Sequence, residues 1–435
     1  MSSETSNSSV VIVTQYFDPD TAGISILLSD LAYGLADRGI DVSVVTTQPS
    51  YSAADRATKC SAKETIDGID IRRVPATRFD RNDGLVKHML NEITFFFTAF
   101  VYLLVRKRGD VLLLSTCPSF LPIAGFPLRW RGYQPVPVVM DLYPSMAVAL
   151  DYIDGDSPIC GLWDWLNRRT YRLASVTVTI GERMAEQIQR EYGPIPVRVI
   201  HNWEDGDFVE PRAKDENEFA RKHGFDEQLT VLYSGNLGAH HELKSVLDAA
   251  ASLEADGISS FQFVFIGDGA KKEQLEEIAR EQDLESVTFL PYQPEETLPK
   301  SLTCGDISLV TMDPRVEGLC VPSKFYTALA SGQAILTVSP LSAEIARTIE
   351  QAECGICIES GDSDAIEDAV RFWLNNPDRV DEMGQAAREI FELCYTKQVA
   401  IDAYADVIRN VASDARFDTT NEVGIEVVTD SESAQ

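Results

Sequence analysis

The chain has 435 residues, 44% of them hydrophobic, with 68 acidic against 38 basic side chains and a formal net charge of −30. That length supports two or three domains with sizeable cores, and the hydrophobic share excludes both a largely disordered chain and a membrane bundle. The acidic excess excludes a nucleic-acid binder, because a phosphate backbone would repel such a surface. Together with 12 lysines against 26 arginines, it reads as the solvating surface of a protein in high salt, where a short Debye length screens self-repulsion.

The polar, serine-rich segment Met1–Ser9 has no signal-peptide character and is expected to be disordered. From there, short apolar runs alternate with amphipathic helical patterns. Strands are predicted at Val10–Thr14, Val42–Thr46, Ile69–Val74, Val111–Ser115, Val136–Met140, Val176–Ile180 and Val197–Ile200, with a helix over Ile24–Asp37. A turn-rich stretch, Asn202–Lys214, breaks the periodicity and marks a domain boundary. A second series follows at Thr230–Tyr233, Phe261–Ile266, Val287–Leu290, Ile307–Thr311, Ala334–Val338 and Ile356–Ile358, with helices such as Leu243–Leu253 and Lys272–Glu281 between them. Near-continuous Val/Ile/Leu strands mean burial on both faces, as in parallel sheets. Three helical patterns close the chain: Asp364–Asn375, Val380–Cys394 and Lys397–Val411. The fold class is therefore α/β, with two doubly wound Rossmann-like domains. Facing each other, they would bring the ligand crevices at their strand C-termini to one cleft.

The eight cysteines are scattered, as expected of reduced thiols in a cytosol. Cys354 and Cys357 have CxxC spacing but no accompanying pair and fall on a predicted strand, which argues against metal or redox chemistry. Four Asp-x-Asp strings, at Asp18, Asp154, Asp205 and Asp362, are what chance supplies in so acidic a chain. No metal site is expected.

Glycine turns carry the ligand chemistry. Gly23 stands just before the first helix, where backbone N–H groups favour an anion. Tyr233-Ser-Gly235-Asn236-Leu-Gly238 and Phe265-Ile-Gly-Asp-Gly269 repeat a strand–glycine–helix layout on successive units, with Lys271 and Lys272 next in line. Two such turns in one domain suit a phosphate-bearing nucleotide better than a lone GxG would. The most informative segment runs from Glu317 through Gly318, Leu319, Val321-Pro-Ser323-Lys324 and Thr327 to Gly332 and Leu336. There a carboxylate and glycine precede a short helix whose N-terminal amides and Lys324 suit a diphosphate, while Glu317 suits sugar hydroxyls.

One further stretch bears on location. Ile93–Val105 is apolar and aromatic, preceded by Lys87 and His88 and followed by Arg106-Lys-Arg. No uninterrupted apolar run reaches the ~18 residues of a spanning helix. The stretch is either an interfacial anchor with basic flanks or a buried core helix. Trp130, Trp163 and Trp165, with Arg129, Arg131, Arg168, Arg169 and Arg172, could extend a basic aromatic face.

These pieces, together with Gln15–Gly23, Asp110–Pro118 and Val138-Val-Met-Asp141-Leu-Tyr-Pro144, give the chain a resemblance to GT-B glycosyltransferases of the family-4 type, from about Val10 to Val411. It is similar in particular to the bacterial L-fucosamine and colanic-acid subgroup. With the acidic composition, the resemblance implies a halophilic archaeal source. It implies an N-terminal acceptor domain over 10–204, a nucleotide-sugar domain over 205–395, a helix over 396–412 crossing back to the first domain, and an acidic tail over 413–435. It implies metal-independent sugar transfer with retention, from a UDP- or GDP-linked donor that is substrate rather than cofactor. The implied acceptor is a lipid-linked dolichyl or polyprenyl saccharide, at the inner face of the cell membrane. Peripheral membrane contact would run through 87–108.

Carried over by position, Gly23 faces the donor diphosphate and Asp141 lies near the reacting sugar. Glu317 holds sugar hydroxyls, and Gly235, Asn236, Gly238, His240, Gly269, Lys272, Gly318, Leu319 and Ser323 line the donor. Lys324 counters the developing charge. A second glutamate that usually holds the ribose is missing: Phe325 or Thr327 stands there, depending on the counting direction, and Thr327 can still bond a hydroxyl. Asn236 replaces the usual arginine, and His240 and His241 fall near the usual lysine. Two rivals share the features: a nucleotide-sugar epimerase of this fold, and a degenerate donor-binding partner subunit.

Overall fold

The computed structural model describes residues 8–80, 83–106, 110–238 and 241–413. Expectations for residues 1–7 and for the tail beyond 413 lie outside them. The chain divides into two units. The first runs through Trp203 and includes Gly318–Cys320 and the helix that begins at Lys397; the second comprises Glu204–Glu317 and Val321–Thr396.

The first unit is built on an eight-stranded sheet in the order β3-β4-β2-β1-β5-β6-β7-β8. Its strands are β1 (Ser9–Val13), β2 (Asp41–Thr46), β3 (Lys63–Ile66), β4 (Ile69–Arg73), β5 (Val111–Ser115), β6 (Gln134–Val139), β7 (Thr177–Thr179) and β8 (Val197–Val199). All pairings are parallel except β3–β4. Ser9, expected in a disordered arm, opens β1 and pairs with Asp41. The polar β3 escapes a reading based on apolar runs. Its local signal is Asp67-Gly68, both at positive φ (48° and 82°), as a two-residue hairpin turn requires.

Every residue of β5 is buried, and Leu112 and Leu114 join Val11, Val13, Phe95 and Leu103 in one core cluster. Lys397–Ala412 buries Ile401, Tyr404, Val407 and Ile408 and packs on the first helix, Gly23–Asp37. A Cβ at Gly34 would lie 2.4 Å from Ile401 Cδ1, so glycine sets the close approach of these two helices.

The apolar stretch forms a longer helix than its sequence pattern indicates: Leu85–Val105, 21 residues. By length and composition this helix is long and apolar enough to cross a membrane, although Lys87, His88, Asn91 and Glu92 keep its uninterrupted apolar run shorter than that. One stripe, Asn91, Phe95, Ala99 and Leu103, enters the core. The opposite face stays exposed, including Leu85, Met89, Phe97, Val101 and Val105, the last with 76% of its surface accessible. The basic flanks are partly neutralised: Lys87 pairs with Asp83 at 3.1 Å and Arg106 with Asp110 at 2.7 Å. Residues 107 and 108 lie outside the described set. On neighbouring elements, Trp130 is 81% exposed, and the Arg169 guanidinium lies 5.4 Å over the Trp165 ring.

The second unit is a six-stranded, all-parallel sheet in the order β11-β10-β9-β12-β13-β14. Its strands are β9 (Leu229–Ser234), β10 (Phe261–Ile266), β11 (Val287–Leu290), β12 (Ile307–Thr311), β13 (Ala334–Val338) and β14 (Gly355–Ile358). The helices Lys244–Ala255 and Ser363–Asn375 cover one face, and Phe261, Phe263, Leu309, Leu336 and Trp373 pack in the cluster beneath them. All-buried strands such as β10, β12 and β13 are what a sheet covered on both faces needs.

Candidate active site

In the second unit the two glycine turns pack against each other. Gly235 N donates to Ile266 O and Leu237 N to Asp268 O, each at 2.8 Å. Gly267 has φ +148°, and a Cβ there would fall 1.9 Å from Gly235 O; Gly269 has φ +152°, with Leu237 O at 2.5 Å. These glycines are required by turn-on-turn packing. The amides of Gly235 and Leu237 are spent inside the fold. Gly238 belongs to the same turn, near the Asn236 and His241 side chains, and Asn236 O accepts from Tyr233 OH at 2.7 Å. His240 lies outside the described residues.

The cations separate by environment. Lys271 Nζ donates to His241 O at 2.7 Å, and Lys272 Nζ to Gly267 O at 3.2 Å with Glu276 at 3.9 Å. Both bond loop carbonyls. Lys324 differs. It has no hydrogen-bond or carboxylate partner among the described residues, and its ammonium sits 4.9 Å over the Tyr233 ring. Its Cε would lie 2.8 Å from a Cβ at Gly235, so the bare glycine gives this side chain its place. Burial drives the Lys324 pKa down from 10.5 to about 8. An uncompensated, desolvated cation is an open invitation to an anion.

Lys324 begins the helix Lys324–Ala330, and Ser323, its N-cap residue, makes no side-chain cap bond. With seven residues this helix has a small dipole, so the side chain rather than the helix end supplies the positive charge. Lys324, Thr327 and Ala328 line a cavity of about 60 Å³ with Ser234 of β9 and Ser308 of β12. Thr327 Oγ1 donates to Glu204 Oε2 at 2.6 Å. The Glu204 carboxylate thus lies beside Thr327 although it is 123 positions away in the chain. Phe325, the alternative from the other counting, is buried in the core. Glu317 follows the turn Pro314–Val316 and is partly buried.

In the first unit, Gly23 is the first residue of its helix, after the N-cap Ala22, rather than preceding it. A Cβ on Gly23 would meet nothing within 4 Å, so packing does not demand glycine there. Near that helix start, Ser25 Oγ, Asp20 Oδ2 and Gln15 Oε1 are buried without a hydrogen-bond partner among the described residues. Asp141 follows β6 and keeps part of its surface accessible, yet desolvation of its carboxyl raises its pKa from 3.8 to about 6. Gly318, at φ +69°, and the buried Leu319 also belong to the first unit.

The Asp-x-Asp strings serve local structure. Asp20 Oδ1 accepts from Ser50 N and Tyr51 N, Asp154 Oδ1 from Asp156 N, Asp205 Oδ1 from Asp207 N, and Asp362 Oδ1 from Ala365 N. All eight cysteines are free thiols. Among the described residues, no group of three or more His, Cys, Asp or Glu could hold a metal ion.

Two Rossmann-like units, the second with a buried cation at its glycine turn, define a GT-B glycosyltransferase. The family models agree: residues 22–203 match the glycosyl transferase 4-like domain and residues 215–390 match glycosyl transferases group 1. The chain belongs to this group 1/4-like family of glycosyltransferases. It is 26% identical over 318 residues to the glycosyltransferase WbjE of Pseudomonas aeruginosa, covering 72% of this chain and 77% of that protein. It is 23% identical to WcaI of Escherichia coli K12, a colanic acid biosynthesis glycosyl transferase, covering 90% of this chain and 98% of that one. In fold it is similar to Anabaena HepE, solved in complex with UDP, with a TM-score of 0.68, 13% identity and coverage of 92% and 100%.

Proposed function

We propose that this glycosyltransferase moves a hexosyl or N-acetylhexosaminyl group from a UDP- or GDP-linked donor to a lipid-linked saccharide, with retention and without a metal. The setting is assembly of a cell-surface or protein-linked glycan at the inner membrane face of a halophilic archaeon. The observation that carries the donor half is Lys324, a buried ammonium with no counter-ion among the described residues, beside the Gly235 turn. The relatives support the same chemistry, since WcaI is assigned to colanic acid biosynthesis and HepE was solved with UDP. The exposed apolar face of Leu85–Val105 supports an acceptor held at a lipid surface.

In this reaction the bond from the anomeric carbon to the diphosphate oxygen breaks, through an oxocarbenium-like state. The acceptor oxygen bonds to the same face of that carbon and its proton passes to the departing diphosphate. Lys324 lowers the barrier by holding the charge that builds on the leaving group. Glu317 accepts hydrogen bonds from the hydroxyls of the transferred sugar. Asp141, ionised above its raised pKa, offsets the positive charge on the sugar ring.

Product analysis tests the proposal: the protein in molar salt, with a panel of nucleotide sugars, with and without membrane lipid extract. A lipid-extractable glycoside with the donor's anomeric configuration is expected. Conversion of the donor without any acceptor would establish an epimerase instead. Donor binding with no product from any acceptor would establish a binding subunit.

A further inference from the structure

We propose that a row of half-buried rings, Phe96, Phe120, Trp163 and Tyr143, receives the isoprenoid chain of the lipid-linked acceptor and brings its sugar beside Asp141; this rests on the lipid-acceptor reading above. All four rings belong to the first unit. Phe96, on the helix Leu85–Val105, stacks 6.3 Å from Phe100 and meets Phe120 at 5.5 Å. Phe120 meets Trp163 at 6.2 Å, and Trp163 stacks on Tyr143 at 5.8 Å with their planes 6° apart. Each ring keeps part of its surface accessible. Trp163 Nε1 is buried with no hydrogen-bond partner among the described residues, so ring contacts rather than a hydrogen bond orient the indole. At the inner end, Tyr143 stands two residues after Asp141, and its O accepts from Asn167 Nδ2 at 2.7 Å, which ties it to the Trp163 helix, Pro158–Leu173. Burial first, then the charges of Asp141 and Glu92, push the Tyr143 hydroxyl well above its ordinary value. Tyr143 thus feels both the carboxylate assigned to the reacting sugar and a side chain of the Leu85–Val105 helix.

Around the row, two helices expose apolar side chains. Phe97, exposed, meets Phe96 edge-on at 5.5 Å. Pro158–Leu173 exposes Ile159, Leu162 and Trp165, each three residues after the last, where a helix facing water carries polar residues. Charge favours a phosphate-bearing lipid as the partner. Residues 84–173 carry nine basic against seven acidic side chains, whereas the rest of the chain carries 29 against 61. An anionic lipid therefore meets far less repulsion here than over the remainder of the chain. Stacked rings suit an apolar chain better than a saccharide, whose hydroxyls would lose hydrogen bonds along them. The methyl and C–H edges of an isoprenoid pack on such ring faces, and the row leads to Asp141, where the sugar end of the acceptor is needed.

The test uses the full chain in molar salt with geranylgeranyl phosphate, kept below its aggregation concentration, and dimethylallyl phosphate, which has the same headgroup and a single isoprene unit. Calorimetry is expected to show the longer lipid binding at least about a hundred-fold tighter, because its added units find apolar contacts. Two photoreactive forms, with a diazirine on the first or the last isoprene unit, locate the chain. The first is expected to label Tyr143 or Trp163, and the second Phe96 or Phe100. Trp163→Gln is expected to lower geranylgeranyl phosphate affinity about ten-fold or more and to leave UDP affinity unchanged; if both affinities fall, the variant is misfolded and labelling of the wild type decides. Equal affinity for the two phosphates, or unchanged affinity in Trp163→Gln, overturns the assignment. Label away from these rings, or in the reverse order, overturns it while leaving the lipid-acceptor reading intact. Protection from labelling by dihexanoylphosphatidylglycerol as effective as by unlabelled geranylgeranyl phosphate gives the row to bulk lipid and also overturns it. Failure to bind either phosphate overturns the row, and if the protein then glycosylates a water-soluble saccharide, the lipid-acceptor reading falls with it.

Discussion

Replacing Lys324 by methionine should make the empty protein more stable and the enzyme worse. The folded pKa of about 8 against 10.5 for a free side chain corresponds to about 3 kcal/mol of desolvation, at about 1.4 kcal/mol per pH unit. Because the folded value is depressed, this penalty is complete below pH 8 and fades as pH rises toward 10.5. Methionine keeps the stem packing and removes the charge, giving up a contact with the Tyr233 ring worth about 1 kcal/mol. A net gain of about 2 kcal/mol at pH 7 would raise the melting temperature of the second unit by roughly 4–8 °C. The same change should weaken UDP or GDP binding about thirty-fold or more, through the lost charge-assisted bond. Thermal melts at pH 7 and pH 10.5, each with and without nucleotide, provide the assay. The stability gain should shrink to within a few tenths of a kcal/mol at the higher pH, where the wild-type lysine is neutral when folded and about half neutral when unfolded. A variant that is less stable at pH 7 and binds nucleotide as the parent does would refute the reasoning.

Glu317→Ala should lower turnover by about 10²- to 10³-fold without unfolding the protein; near-normal rates with a matched melting curve would remove Glu317 from the reaction. Asp141 has a raised folded pKa of about 6, so native stability should fall by up to about 3 kcal/mol as pH rises from 3.8 to 6. Asp141→Asn should flatten that dependence in urea melts and abolish the loss of turnover below pH 6, on top of a lower plateau rate. Gly267→Ala forces a Cβ into Gly235 O at a φ that L-residues avoid, so a loss of about 3 kcal/mol or more is expected; a melt within error of wild type would contradict the turn packing. Val101→Asp on the exposed face of Leu85–Val105 should reduce flotation with anionic vesicles about ten-fold. Equal flotation of variant and parent would direct membrane contact to another surface.

Much of the architecture is legible because parallel strands covered on both faces must be apolar throughout: Phe261–Ile266, Ile307–Thr311 and Ala334–Val338 have the same bounds in sequence and structure. The same rule hides Lys63–Ile66, an edge strand that needs no apolar face. It also clips the start of the helix at Leu85, where polar residues interrupt the apolar stripe. At the candidate site, residue types are readable but their employment is not. Lys272 and Lys324 look alike in a string of letters, yet one bonds a neighbouring carbonyl and the other sits over the Tyr233 ring with no hydrogen-bond partner among the described residues, which only tertiary packing decides. Glu204 was invisible for the same reason: nothing local in Asn-Trp-Glu-Asp shows that a threonine 123 residues later will hold its carboxylate.

The helix Lys397–Ala412 belongs to the first unit although every described residue of the second unit precedes it in the chain. On a ribosome adding 5–20 residues per second, the earlier part of the first unit waits about ten to forty seconds for that helix. Meanwhile the groove around Gly34 that receives Ile401 stays uncovered. The second unit, uninterrupted except for three residues, can finish first. Nascent-chain release therefore gates completion of the older half, and ribosome stalling within 204–396 should yield species that chaperones retain by that uncovered groove.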